Sequence, residues 1–563
     1  MGGTEGGPSF TSLAEAIEAN VRPGDSVHLM LGHSRWTAGA RELARQFWGT
    51  DPGFTLIMTS LGALSAFFFR GGLVKKVITT YSGNSFPTYT PNPIFREAYE
   101  SGRVEVEHWS ILTLSQRLEA GARGLPAMVT GSLVGSSMAE NVAFSEVDSP
   151  FGRIGLLAPL VPDVSLVHAA LADRDGNLVF SEPLLDGVWG ALAARRGVIA
   201  TVEKVVDDLS GLGHRVKVPG HRVLAVVEAP FGAHPGGLYA PGLPVSSYGE
   251  DIAYWNQAAE AATKNDFDAF ADEWLFGPTT HEQYLDKVGA DRLSWLEARS
   301  NPLSWKDDDA ATPVSEDPVV SAWEQAAALG AREVARVVDQ VQADAVLAGA
   351  GVANLAAWVA VERARAAGGR VQLTAELGLW SYHPTPADPY IFNQRVFPAT
   401  PYLSDASTVL GMVIGGPGTR TIGCLGAAEV DQEGSLNSTL LPGGRFLVGS
   451  GGANDVASRA DACVVVTLAR PERLPARAAY VTSPGRNVVS VVTNKGILRR
   501  QDGVLRIAAV PAGEGSLDDR VRQFIAACGY EPEVAREVED LAAVTADEVR
   551  DLRVFDRERL FLT

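Results

Sequence analysis

The order of hydrophobic and polar positions predicts strands and helices that alternate along the first half of the chain. Residues 12–21 have the spacing of an amphipathic helix, a turn is expected at residues 23–25, and residues 26–31 have the apolar character of a buried strand. A turn at residues 32–34 and a helix through Leu43 complete a β-turn-α unit. Further strands are predicted over residues 54–58, 74–79, 162–172 and 197–202, and further helices over residues 115–121, 187–196, 253–264 and 281–288. This alternation is typical of an α/β fold with mostly parallel sheets covered by helices.

The second half of the chain repeats the order of the first. A helix predicted over residues 320–341 leads to a strand over residues 344–351 that ends in glycines, much as the first helix leads to its strand near the amino terminus. The tight turn at residues 431–436 also matches the turn at residues 173–178, and each follows an apolar stretch. Two such echoes in the same order predict two related open α/β domains.

A change in composition predicts where these domains meet. Residues 301–318 are acidic, contain prolines and show no periodicity, as is typical of an interdomain linker. We therefore predict one domain over residues 1–300 and a second over residues 319–563. In the second, strands are expected over residues 463–468, 479–482, 488–493 and 505–510, a mostly helical stretch over residues 517–538, and a solvated surface from Asp547 onward.

Composition and charge argue against several classes of function. The 563 residues carry a formal net charge of −19, which disfavours general affinity for nucleic acid or an anionic membrane. No apolar stretch is long enough to span a bilayer, and residues 1–7 lack the basic segment and apolar run of a secretory signal. The cysteines Cys424, Cys463 and Cys528 lie far apart, so we expect buried thiols, a cytoplasmic protein and no metal site.

The strongest candidate for a reactive side chain is Glu376. Residues 370–375 alternate polar and apolar, which predicts a half-buried strand with Glu376 at its carboxyl end. Ligands of open α/β sheets bind at that end of the strands. Gly378, two residues later, permits a sharp turn and close approach of a substrate. Because an acidic residue at a strand end is common, the motifs elsewhere in the chain decide the interpretation.

Two glycine-rich blocks downstream of Glu376 carry a family resemblance. They run Gly423-Cys-Leu-Gly426-Ala-Ala-Glu429-Val-Asp431-Gln-Glu-Gly434-Ser-Leu-Asn437 and Pro442-Gly-Gly-Arg445-Phe-Leu-Val-Gly449-Ser-Gly451-Gly452-Ala-Asn454-Asp455. The second half resembles the β subunit of glutaconate-type family I CoA-transferases. The first half resembles the α subunit through Gln116-Arg117-Leu118, Gly124-Leu-Pro126, Pro162-Asp163, Ala172-Asp173 with Gly176-Asn177, and Glu228 to Pro235. One chain therefore resembles both subunits fused.

The resemblance implies a ping-pong transfer of CoA between two carboxylic acids. The residue that matches the catalytic glutamate of the family is Glu376, in its Glu-x-Gly378 setting. It would attack an acyl-CoA thioester and then carry CoA as a glutamyl thioester. No permanently bound cofactor is implied, because CoA is a substrate, and family members pair α–β units, so a homodimer or larger homo-oligomer is expected. A carboxylate of ordinary pKa is already ionised at neutral pH, so this nucleophile would need no general base.

Backbone amides at glycine-rich segments are candidates for binding the oxyanion and CoA. One candidate segment follows the predicted strand over residues 344–351, and the other resembles the CoA-side glycine segment of the family. The candidates are Gly349, Gly351, Val352, Gly449, Gly451, Gly452, Ala453 and Asn454.

The acyl pocket is harder to predict. Ser132 and Ser136 lie in a Gly/Ser loop that could line it, and His234 lies in a Gly-Ala-His-Pro segment that could instead hold the shape of its loop. Trp380 opens an aromatic, proline-rich stretch directly after the candidate nucleophile. Glu429 stands where several family members carry glutamine, which would alter recognition of the acyl group.

Two other functions remain open from the sequence. The first keeps the fold but hydrolyses either an acyl-CoA thioester or a carbon–carbon bond in a CoA-linked cyclic ketone. Retention of Glu376 and Gly378 favours transfer over hydrolysis. The second is a non-catalytic protein that binds CoA esters, and nothing resembling a basic DNA-binding helix accompanies it.

Overall fold

The computed structural model describes residues 7–31, 36–392 and 394–563. Two ten-stranded sheets, one in each half of the chain, dominate the structure, and helices cover them. The predicted α/β fold with mostly parallel sheets is confirmed. The turn predicted at residues 32–34 lies outside the described residues. In the part of the chain that the structure describes, no helix is both long and apolar enough to cross a membrane.

The sheet of the first half is built on a parallel ladder in the order β1-β13-β11-β9-β2-β3-β4-β5, with β10 and β12 added antiparallel beside it. A small antiparallel sheet, β6-β8-β7, lies apart. The strands are β1 Ser9–Phe10, β2 Ser26–Leu29, β3 Phe54–Leu61, β4 Val74–Ser82, β5 Glu105–His108, β6 Met128–Thr130, β7 Phe144–Ser149, β8 Gly152–Leu157, β9 Val164–Ala172, β10 Leu178–Val179, β11 Gly197–Val205, β12 Val216–Val218 and β13 Val223–Glu228.

The sheet of the second half has the order β17-β16-β15-β14-β18-β23-β24-β25-β26-β27. Its centre, β15-β14-β18-β23-β24, is parallel. The strands are β14 Ala345–Ala348, β15 Gln372–Ala375, β16 Leu379–Trp380, β17 Tyr402–Leu403, β18 Thr421–Gly426, β19 Glu429–Val430, β20 Leu436–Asn437, β21 Leu440–Leu441, β22 Arg445–Phe446, β23 Ala462–Val466, β24 Val488–Val492, β25 Ile497–Gln501, β26 Val504–Pro511 and β27 Val534–Leu541.

The helices pack against both faces of these sheets, so the central strands are buried. The α-helices are α1 Leu13–Asn20, α2 Thr37–Phe47, α3 Ala66–Arg70, α4 Pro93–Glu100, α5 Ile111–Arg123, α6 Trp189–Ala193, α7 Ile252–Thr263, α8 Phe267–Ala271, α9 His281–Val288, α10 Ala290–Arg299, α11 Trp305–Ala311, α12 Ala322–Val341, α13 Val352–Ala366, α14 Ala453–Arg459, α15 Leu517–Ile525 and α16 Ala546–Phe555.

Four expectations about local structure were wrong. Residues 479–482 form no named strand and instead run beside β20 through a single bridge at Ser483. The stretch over residues 517–538 is helical only in its first part, because α15 ends at Ile525 and residues from Val534 onward form β27, which pairs with β26. The surface expected after Asp547 is the helix α16, which buries Val549 and Leu552. The linker expected to be aperiodic contains α11.

A buried ion pair ties the carboxyl-terminal helix to the linker. Arg553 is 3% exposed and its Nε donates to Glu324 Oε1 at 2.7 Å, at the start of α12. The same guanidinium donates to the backbone carbonyl oxygens of Ser315, Asp317 and Val319. The periodicity of α16 alone could not indicate this, because the partners lie more than 200 residues away.

We expect Arg553→Ala to destabilise the protein by about 1.5–3 kcal/mol, because it removes one of the two arginines that pair with the buried Glu324 carboxylate and leaves Arg559 as the other. Arg550→Ala, on the exposed face of the same helix, should change stability by less than about 0.5 kcal/mol. Thermal and urea unfolding of both variants measure the difference. Equal unfolding temperatures for the two variants would show that the buried pair is dispensable.

Candidate active site

Glu376 follows β15 directly, at the carboxyl end of the central parallel strands. Gly378 has φ of +105°, and a Cβ there would lie 2.3 Å from the carbonyl oxygen of Ser404. The Gly378 carbonyl also accepts a hydrogen bond of 2.8 Å from the Ser404 N–H. Only glycine fits this turn, so Gly378 fixes the path of the backbone that presents Glu376.

The glycine segment over residues 449–452 lies against Glu376. A Cβ on Gly452 would lie 2.0 Å from Glu376 Oε2, so a side chain there would collide with the carboxylate. The backbone amide of Gly452 favours the ionised form of that carboxylate and so lowers its pKa. Sequence reasoning proposed Gly452 as a CoA or oxyanion contact, and the structure brings it directly beside the candidate nucleophile.

The environment of Glu376 changes its ionisation. Burial, and then the negative charge of Asp455, raise the pKa of Glu376 to about 7, while the Gly452 N–H acts in the opposite direction. The side chain is half-buried, so protein surrounds it on most sides and one part stays accessible. The expectation of an ordinary, fully ionised carboxylate was therefore wrong.

Asp455 is a candidate site residue that sequence reasoning did not include. It is fully buried, and it accepts hydrogen bonds from Ser110 Oγ at 2.6 Å and from the Leu112 N–H at 3.0 Å. Burial raises its pKa to about 6 despite these hydrogen bonds. The hydrogen bonds of Asp455 thus connect the start of α5, in the first half, to the immediate surroundings of Glu376. Its only sequence signal was its position directly after Asn454 in the glycine-rich block.

Asn454 and the Gly/Ser loop also join the two halves. Asn454 Oδ1 accepts from the Leu133 N–H at 2.9 Å, and its Nδ2 donates to the carbonyl oxygen of Thr482 at 2.8 Å. Ser132 lies beside Asp455, and its hydroxyl lowers the pKa of that carboxyl group. In the same loop, Ser136 Oγ donates to the Leu133 carbonyl oxygen at 2.8 Å. The amide of Asn454 is therefore occupied in holding this loop against the second half.

Gly449 and Gly451 contact the end of β4 in the first half. A Cβ on Gly449 would lie 2.5 Å from the Thr80 carbonyl oxygen. The Gly451 N–H donates to the same oxygen at 3.0 Å, and the Gly451 carbonyl accepts from the Ile111 N–H at 3.1 Å. Ala453 is the first residue of α14. The backbone of this segment is thus shaped by contact between the halves.

The other glycine segment, Gly349 to Val352, follows β14 and leads into α13. Gly351, with φ of +76°, and Val352 line a cavity of 290 Å³ together with Tyr89 and Phe561. β14 has β15 on one side and β18 on the other, so this crevice lies where the strand order reverses. Such crevices are the usual ligand sites of open α/β sheets.

Three predicted pocket residues have contacts elsewhere. The two ring nitrogens of His234 lie 2.7 Å from Tyr284 Oη and 3.0 Å from Asp251 Oδ2, so neither is left for a substrate. Glu429 accepts from Asn437 Nδ2 at 2.6 Å and from the Ala479 N–H at 3.0 Å. Trp380 pairs through β16 with β15 and β17. Their proposed role in acyl recognition stays a prediction.

The cysteines and possible metal ligands add no further chemistry. Cys424, Cys463 and Cys528 are all free and buried, as expected from the sequence. Among the described residues, no group of three or more His, Cys, Asp or Glu side chains could hold a metal ion.

Comparison with known proteins gives consistent matches in the first half of the chain. A sequence model of the coenzyme A transferase family matches residues 10–229. The chain is 29% identical over 318 residues to one subunit of the glutaconate CoA-transferase of Acidaminococcus fermentans, covering 50% of this chain and 92% of the relative. It is 30% identical over 293 residues to one subunit of the 3-oxoadipate CoA-transferase of Pseudomonas knackmussii, covering 49% of this chain and 97% of the relative.

The second half is matched by structure. The fold resembles that of an acyl-CoA transferase from Escherichia coli O157:H7 with a TM-score of 0.67 and 16% identity, over 99% of this chain and 97% of that one. At that identity the likeness concerns the fold alone. Since each single-subunit relative accounts for about half of the chain, the length is that of two subunits fused.

Gly452→Ala is expected to lower acyl-CoA turnover on the order of 100-fold, because the added Cβ must displace the Glu376 carboxylate by an ångström or more. Gly418→Ala is the matched control, since a Cβ at Gly418 meets nothing within 4 Å. Steady-state rates with one acyl-CoA and one acid acceptor measure both variants. Full activity of Gly452→Ala would mean that the position of Glu376 does not limit the reaction.

Proposed function

The chain belongs to the coenzyme A transferase family, and from that premise we propose that it moves CoA from an acyl-CoA to a carboxylic acid by a ping-pong mechanism with Glu376 as the nucleophile. The observation that carries the proposal is the carboxylate of Glu376 against the backbone of Gly452, in a segment that contacts the first half of the chain. No metal or permanently bound cofactor is required, because CoA enters as part of the substrate.

The first half-reaction makes a glutamyl-CoA thioester. A carboxylate oxygen of Glu376 attacks the thioester carbonyl carbon, the carbon–sulfur bond breaks, and CoA thiolate leaves an acyl-glutamyl anhydride. The thiolate then attacks the glutamyl carbonyl carbon and expels the free carboxylate of the donor acid. The acceptor carboxylate reverses these steps and regenerates Glu376. Every step exchanges one nucleophile for one leaving group, so no net proton transfer is needed.

Backbone amides would stabilise the oxyanion of each tetrahedral intermediate. The Gly452 N–H is the first candidate, because Gly452 lies directly against the carboxylate that becomes the glutamyl carbonyl and its amide favours the negative charge there. The amides of Gly351 and Val352 at the switch-point crevice are the second candidate pair. Burial of the site also supports transfer, since an anhydride open to water would hydrolyse.

The raised pKa of Glu376 has a mechanistic consequence. Only the ionised carboxylate attacks a thioester, so protonation below a pKa of about 7 would remove the nucleophile. The benefit is that a carboxylate held in a partly dehydrated pocket is more reactive than one in bulk water. Asp455 contributes to this balance because its charge disfavours a second charge beside it.

Intact mass spectrometry after incubation with an acyl-CoA, without an acceptor, tests the proposal. We expect a mass increase equal to CoA less water, located on the peptide that contains Glu376. Glu376→Ala and Glu376→Gln should form no adduct, and Glu376→Asp should form it about 100-fold more slowly, because the carboxylate is withdrawn by roughly one ångström.

Two outcomes would contradict the proposal. Release of CoA without any protein adduct would favour hydrolysis on the same fold. An undiminished rate in a folded Glu376→Ala variant would exclude Glu376 as the nucleophile. Near-identical circular dichroism spectra of wild type and variants provide the folding control.

A further inference from the structure

A cavity of 520 Å³ lies where both halves, the linker helix α11 and the carboxyl-terminal segment meet. Most of its wall is apolar or aromatic. The principal apolar faces belong to Phe86, Pro87, Ile252, Trp295, Tyr390 and Phe561. A cavity of this size and character is suited to an apolar group of a small-molecule ligand.

Aromatic contacts connect this cavity to the candidate nucleophile. Tyr390 packs on Phe86, with ring centroids 4.2 Å apart, and stacks on Tyr89 at 6.0 Å. Leu377, which follows Glu376 in the chain, packs against the hydrophobic cluster that contains Phe86 and Tyr390. The cavity is therefore a neighbour of the reacting centre.

The carboxyl-terminal segment closes one end of the cavity. Leu560 and Phe561 line both this cavity and the 290 Å³ crevice at Gly351. Asp556 holds them in place by accepting hydrogen bonds of 2.8 Å from both backbone N–H groups. Phe561 also stacks on Tyr89, with centroids 6.1 Å apart. The end wall is thus hydrophobic and fixed.

Every arginine of the cavity wall already has a carboxylate partner. The pairs are Arg299–Asp308, Arg395–Asp308, Arg395–Asp388 and Arg557–Asp309. A ligand carboxylate would have to compete with an existing ion pair in order to gain one of these guanidinium groups. In a partly buried site, a charge that gains no partner loses its hydration without compensation.

The balance of charge around the cavity is acidic. Three arginines face five acidic residues, which are Glu250, Asp308, Asp388, Asp556 and Glu558. Burial raises the pKa values of Asp388 and Asp556, which indicates how unfavourable a further negative charge is at this place. A second carboxylate on an acyl group would be repelled here.

We propose that this cavity receives the acyl group, and that the preferred acyl group is uncharged and apolar, such as a ring, rather than one bearing a second carboxylate. The inference rests on the proposed transferase function, because it concerns the acyl-CoA that reacts with Glu376. It adds the substrate class, which the family and the nucleophile leave undetermined.

The rate of adduct formation with cyclohexanecarbonyl-CoA and with glutaryl-CoA tests the inference. The wild-type protein should react at least roughly tenfold faster with the ring-bearing thioester. Asn256→Lys introduces a cation into the cavity wall. Among the described residues, Asn256 Oδ1 has no hydrogen-bond partner, so the substitution breaks no hydrogen bond of that oxygen. In this variant, the rate with cyclohexanecarbonyl-CoA divided by the rate with glutaryl-CoA should fall by roughly tenfold or more, because the reaction with glutaryl-CoA becomes faster.

Gln257→Lys is the matched control, because it adds the same charge at the next residue of α7, which faces solvent. It should leave the wild-type ratio unchanged. Equal or faster reaction of glutaryl-CoA with the wild type would overturn the inference and leave the transferase function intact. The inference would also be overturned if a folded Asn256→Lys variant had the same ratio of rates as Gln257→Lys. Absence of an adduct with both thioesters would overturn the function and the inference together.

Discussion

The arrangement of the site depends on the backbone contact between the end of β4 in the first half and the glycine segment of the second. The Ser82 N–H donates to Val448 at 2.7 Å and the Gly451 N–H donates to Thr80 at 3.0 Å, in a contact too close for a side chain at Gly449. This contact sets the position of Gly452 beside Glu376. Ser110, Leu112 and Thr80 of the first half thus contact the segment beside Glu376, which gives a physical reason for two subunit-like halves to remain associated in one chain.

The contact between the two halves also affects the ionisation of Glu376. The side chain of Asp455 extends from the glycine segment to the start of α5, where its oxygens accept hydrogen bonds from Ser110 and Leu112. Two carboxyl groups thus share one buried region, with pKa values of about 7 for Glu376 and about 6 for Asp455. Such a pairing disfavours ionisation of both groups and makes the pair a candidate functional site. The ion pair of Arg553, by contrast, serves only the attachment of the tail.

Sequence patterns predicted the fold class, the strand before Glu376 and the glycine segment, because these depend on local periodicity and on residues that lack a Cβ. They could not predict the contacts of Asp455, whose partner Ser110 lies more than 300 residues away. They also could not predict the raised pKa of Glu376, which depends on burial and on the charge of Asp455. They also missed α16. Glu548 and Arg553 of this helix are buried in ion pairs, so the buried face of α16 does not show as an apolar stripe in the sequence. Charged residues that find distant partners look like solvent-facing residues in a sequence.

The central claim is that the half-buried, partly protonated Glu376 must ionise before it attacks. The pH dependence of the single-turnover rate of adduct formation tests this claim most directly. The account predicts a rate that rises with pH to a plateau, with a midpoint near 7 in the wild type. In Asp455→Asn the midpoint should move to lower pH, because the neighbouring negative charge is gone. A rate that is constant between pH 5 and pH 8, or a midpoint that does not respond to Asp455→Asn, would contradict it.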